Sequence, residues 1–80
     1  KRQLSKNELR KIRQEIADLE EEIELLESAI DLTGEEMSSG ALSGEDMAQA
    51  AARVQSQQKT LQRKMTRWEE LNAVMEREGV

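Results

Sequence analysis

Apolar residues recur through the first third of the chain at alternating spacings of three and four: Leu9, Ile12, Ile16, Leu19, Ile23, Leu26 and Ile30. Three such heptads predict an amphipathic helix whose narrow stripe can be buried only against another helix. A stretch rich in Gly and Ser follows, and Met47, Ala50, Val54, Leu61, Trp68, Leu71 and Met75 then repeat the pattern. The second half of the chain is therefore the natural partner of the first. The expected fold is all-α, a two-helix antiparallel coiled-coil hairpin. Helix 1 is expected at about 6–32, a loop at about 33–43 and helix 2 at about 44–77, in a single domain over 1–80.

Local signals sharpen these boundaries. Ser5-Lys6-Asn7-Glu8 fits a capping box, with Leu4 and Leu9 as its hydrophobic staple. Gly34 is placed to take the left-handed conformation that ends a helix, leaving at most one loose helical turn at 35–38 before the loop. Ser43-Gly44-Glu45-Asp46 is a second start signal, with Leu42 against Met47. Helix 2 would then outrun helix 1 by two turns. Its overhang, with Leu71 and Met75, needs cover from residues 1–4 or from a longer parent.

With Leu9 and Met47 both at heptad position a, Glu8 and Glu22 fall at g of helix 1, and Arg53 and Arg67 at g of helix 2. In an antiparallel pair these rows face one another, so Glu8–Arg67 and Glu22–Arg53 select one common register. Exposed pairs of this kind contribute only about 0–1 kcal/mol each and choose alignment more than they stabilise. The same register sets Leu19 beside Gln57 and Gln58 and puts Lys64 in the seam. A soft middle follows. Ordering costs about 1–2 kcal/mol per residue, so a seam this thin predicts marginal stability for the isolated hairpin.

Composition narrows the chemistry. There is no Cys, His, Phe or Tyr and a single Trp among 80 residues. Thiol nucleophiles, imidazole bases, disulfides and the usual zinc ligands are thereby removed. With no glycine-rich phosphate loop and no enclosed pocket between two helices, the segment is expected to be non-catalytic, with no cofactor and no metal site of its own. The acidic run Glu20-Glu21-Glu22 with Glu24 lacks the loop geometry of a calcium site and reads as a solvated face. The longest apolar run is Ala50 to Ala52, so no membrane span is expected and the chain reads as soluble and cytoplasmic. It opens on Lys1 rather than Met, as a segment cut from a longer protein would.

Charge is the more informative feature. The formal net charge is −5, yet residues 15–52 carry twelve acids and no Lys or Arg, while all twelve bases lie outside that stretch. The expected rod has an acidic tip and a basic base. Lys6, Arg10 and Arg13 follow one another at helical spacing, as do Lys59, Arg63 and Arg67, with Lys64 beside them. Such a cluster suits a phosphate backbone, bound electrostatically and weakened by salt. Composition alone favours the plainer reading, solvated faces balanced by Glu8, Glu69 and Glu70. Trp68 can stack on a base, but its seam position makes it an aromatic anchor of the hairpin. The four Met residues read as gap fillers.

The two ends of the chain carry a resemblance. Leu4-Ser5-Lys6-Asn7-Glu8-Leu9-Arg10, with the heptads from Ile16 to Ile23, resembles the opening of the C-terminal coiled-coil domain of ABC-F ATPases. Arg67-Trp68-Glu69-Glu70-Leu71 is similar to the segment that commonly closes that domain. The resemblance implies a parent with duplicated ATP-binding cassettes, using ATP and Mg, and an appended arm. Family members act on ribosomes in translation, and the arm is implicated in binding nucleic acid, including DNA for the Uup-like branch. It shifts the basic residues toward phosphate contact with DNA or ribosomal RNA, without base readout, by a monomeric hairpin. Two alternatives stand beside it: a protein-interaction or spacer hairpin that docks a partner at its acidic tip, and the coiled-coil arm of an aminoacyl-tRNA synthetase.

Overall fold

A computed structural model describes residues 3–79. Two helices, α1 (Lys6–Ser38) and α2 (Gly44–Arg77), pack along their length into a rod of 58 × 17 × 15 Å. The rod exposes 6191 Å², against roughly 4,900 Å² for a compact protein of this mass. There is a seam but no enclosed interior.

Both start signals open a helix where expected, Ser5–Glu8 as a full capping box and Ser43 through its hydroxyl. Ser5 Oγ accepts from the Glu8 N–H at 3.1 Å, and Glu8 Oε1 accepts from the Ser5 N–H at 2.9 Å. Ser43 Oγ accepts from the Asp46 N–H at 3.2 Å and opens α2 where expected. The seam follows the heptads throughout: every a and d position from Leu9 to Met37 and from Met47 to Glu78 is buried or half-buried.

The end of helix 1 differs from expectation. α1 does not stop at Gly34; it continues to Ser38, and Gly40, at φ 76°, supplies the left-handed turn. Ser39 closes the helix, its N–H donating to the Glu35 and Glu36 carbonyls and its Oγ to Glu36 O at 2.7 Å. A helical glycine costs about 1 kcal/mol. Thr33 and Met37 offset it, because they extend the d and a rows opposite the small Ala50, which is 2% exposed, and Val54. Thr33 is itself buried, with its hydroxyl donating to Ala29 O at 3.0 Å.

Six more helical residues move the turn and therefore the register. Arg67 pairs with Glu15 rather than Glu8, and Glu22 with Lys64 rather than Arg53. For Arg67 the slip is one heptad. Apolar periodicity is blind to it, because a seven-residue shift restores every a and d position. The expected overhang disappears: the helices span 33 and 34 residues, and Leu71 and Met75 are buried across from residues 9–16. Leu4 N–H donates to Glu78 Oε1 at 3.1 Å and ties the two ends together. Lys1 and Arg2, named as part of the cover, lie outside the described residues.

Candidate nucleic-acid interface

The one-heptad slip rearranges charge more than it rearranges packing. Lys64 and Arg67 of α2 now pair with Glu22 and Glu15 in the acidic run of α1 instead of standing free beside its basic start. Two bases of the expected basic end are thus neutralised within the hairpin. The tip keeps its acids, Glu35, Glu36, Glu45 and Asp46, with no base between residues 32 and 52.

Two of the seven nominated residues are engaged across the seam. Arg67 Nε and Nη2 donate to the two Glu15 carboxylate oxygens at 2.7 and 3.2 Å. This hydrogen bond, outweighing an opposing desolvation, holds the Glu15 carboxyl below its ordinary value, with the charge of Arg67 adding in the same direction. The same contact raises Arg67 above its ordinary value. Lys64, at d, runs its stem along the seam and brings Nζ to Glu22 Oε1 at 2.6 Å. Both ion pairs lie on the flank formed by the g positions.

The other flank, formed by the e positions, is built differently. Lys6, Arg10 and Arg13 are exposed there and share one shallow surface with Asn7 and Leu9. None of the three makes an ion pair with a described residue. Arg10 Nη2 donates to Asn7 Oδ1 at 2.7 Å, which orients the guanidinium along the surface. Lys59 and Arg63 are exposed on the outer face of α2, Arg63 Nη2 donating to Thr60 Oγ1 at 3.3 Å. The seven residues therefore form no single cluster: three stand together at the start of α1, two face outward on α2, and two serve the hairpin.

Further along the e flank the surface turns acidic and partly apolar. Ile23, Met65 and Trp68 floor a groove walled by Glu20, Glu24 and Glu27. Trp68 is half-buried at its seam position, and its indole N–H reaches out to Glu20 Oε2 at 3.2 Å. Neither the exposure of Met65, at 39%, nor the Glu20–Trp68 contact follows from the heptads in the expected register. Both sit at e or a positions, so heptad lettering would have flagged them once the true register was known. Among the described residues no group of carboxylates is arranged to hold a metal ion, and no helix is long and apolar enough to cross a membrane.

A family model described as ABC transporter C-terminal domain matches residues 4–73. The match spans both helices and both end motifs, and it gives no support to a synthetase arm. No curated protein and no solved structure gives a match.

Proposed function

Because this chain belongs to the family of ABC transporter C-terminal domains, we propose that it is a non-catalytic arm that holds a nucleic-acid backbone against the start of α1. The observation that carries this reading is the surface of Lys6, Arg10 and Arg13: three exposed cations, no acid among its lining, and no ion pair with a described residue. A cation already paired must lose its partner before it neutralises a phosphate; these three need not. Lys59 and Arg63 are secondary contacts on the outer face of α2. Lys64 and Arg67 take the smallest share, since Glu22 and Glu15 hold them. Contacts of this type fix position without reading bases. The ligand is duplex DNA or ribosomal RNA, and the parent is an ATPase of the ABC-F type using ATP and Mg, working in the cytoplasm on the ribosome or on nucleic acid.

Fluorescence anisotropy tests the proposal directly, with labelled duplex DNA, single-stranded DNA and structured RNA titrated at low and physiological salt. Three phosphate contacts predict a log–log salt slope of about −3 on a duplex. Arg10→Glu/Arg13→Glu should weaken binding at least about tenfold, and Arg67→Glu by less. Absence of binding at low salt, or a larger loss from Arg67→Glu, would sink this assignment.

A further inference from the structure

The e flank of α1 carries a sign-inverted charge pattern. Lys6, Arg10 and Arg13 are followed, at the same alternating spacing of three and four, by Ala17 and then by Glu20, Glu24 and Glu27. All seven are exposed and lie on one continuous stripe of the helix, about 32 Å long at 1.5 Å per residue. Reversal of the stripe about Ala17 sets every base opposite an acid: Lys6 with Glu27, Arg10 with Glu24, Arg13 with Glu20.

We propose that this stripe is a docking surface for a second copy of the same chain. Two hairpins would lie antiparallel along their α1 e flanks about a twofold axis through Ala17. An isologous contact of this kind repeats each pair, since residue i meets j while j meets i. Ala17 is the small residue such a crossing needs, because it lets the two backbones approach where the axis passes. The groove of Ile23, Met65 and Trp68 lies directly beside the acidic half of the stripe. The partner's Arg10 and Arg13, arriving with their aliphatic stems, would cover it and bring a guanidinium to the Trp68 ring. Glu24 and Glu27 have no ion pair among the described residues, and the α2 bases Lys64 and Arg67 are held on the opposite flank by Glu22 and Glu15. Neither half of the stripe is ion-paired among the described residues of one hairpin, and the two halves are complementary between two.

The assembly is weak and salt-sensitive, as exposed charge pairs require. It also hides the cations assigned to phosphate contact, so self-association and nucleic-acid binding exclude one another. The proposal does not rest on that function. Glu20→Lys/Glu24→Lys/Glu27→Lys leaves the basic half untouched, and it should abolish association while retaining nucleic-acid binding.

Sedimentation velocity of the 80-residue chain at low salt over a wide concentration range is the test, with Trp68 emission followed on dilution. The chain should pass from one copy to two as concentration rises, and the lone tryptophan should shift as its groove is covered. The Glu-to-Lys variant and the reciprocal Lys6→Glu/Arg10→Glu/Arg13→Glu variant should each remain single. Their equimolar mixture should associate again, because each supplies the charge the other has lost. Ala17→Glu, which puts like charges together on the axis and keeps a good helix former, should also prevent association. Circular dichroism confirms that each variant is folded. A chain that stays single at every concentration, variants that associate like the parent, or a mixture that does not associate would each overturn the proposal.

Discussion

The half of the rod nearest the chain ends and the half nearest the turn share one heptad pattern and are held together differently. In the first lie the buried Leu19, Leu71 and Met75, the Lys64–Glu22 and Arg67–Glu15 ion pairs, the Trp68–Glu20 contact and the Leu4–Glu78 tie. In the second the buried positions are Ala50 and Thr33, and none of the described residues makes a polar side-chain contact across the seam. Gln57 stands there at a d position with Oε1 buried and unpartnered. Periodicity says where two helices meet; how firmly they meet is decided by the size and polarity of the side chain at each meeting point.

The largest expected effect comes from weakening the firm half. Leu71→Ala removes a side chain only 3% exposed and should cost about 2–4 kcal/mol, read as a lowered urea midpoint. With so thin a seam, that loss should leave much of the chain unfolded at 25 °C. Native-state hydrogen exchange should find residues 9–22 and 64–75 more protected than residues 28–36 and 47–58, and a reversed order would break the comparison.

Strengthening the soft half should work in the opposite direction. Gln57→Leu removes an unsatisfied buried oxygen and adds apolar surface at d, for a gain of about 1–2 kcal/mol. Gly34→Ala should gain about 0.5–1 kcal/mol, since the residue is helical and a Cβ there meets nothing within 4 Å. The same substitution at Gly40 should destabilise, because its φ of 76° is the left-handed region. Thermal unfolding of the two glycine variants separates them by sign.

Smallest is the pH effect of the Glu15–Arg67 pair, both members of which are exposed. Arg67 lowers the Glu15 titration in the folded state, so the pair stabilises above the ordinary carboxylate range. That contribution is lost as pH falls through the lowered folded value. Urea midpoints from pH 7 down to about pH 3 should fall more steeply for the parent chain than for Glu15→Gln.

Much of this was legible in the chain. Leu9 to Ile30 identified the seam, Ser5 and Glu8 the first cap, and Ser43 the start of α2, because each is a local signal with a local cause. The stop of α1 was not legible at Gly34, where distant burial of Thr33 and Met37 outweighs an intrinsic glycine penalty. From that single boundary came the register and the charge map. Glu8 and Glu15 are both glutamates at g, and nothing within either heptad tells them apart. The candidate site inherited the same ambiguity: Lys6, Arg10 and Arg13 kept their place because they lie on one helix, whereas grouping them with Arg63 and Arg67 depended on where the chain turned.

The hydrogen bond from Leu4 N–H to Glu78 Oε1 has a mechanical corollary. Both ends of the chain therefore meet at one end of the rod, which can be held there at a single point like a post in a socket. Its 58 Å length then acts as a lever, and each degree of tilt at the socket carries the tip through about 1 Å. A few degrees of movement, too small to disturb any contact along the seam, would sweep the acidic tip across the width of a side chain.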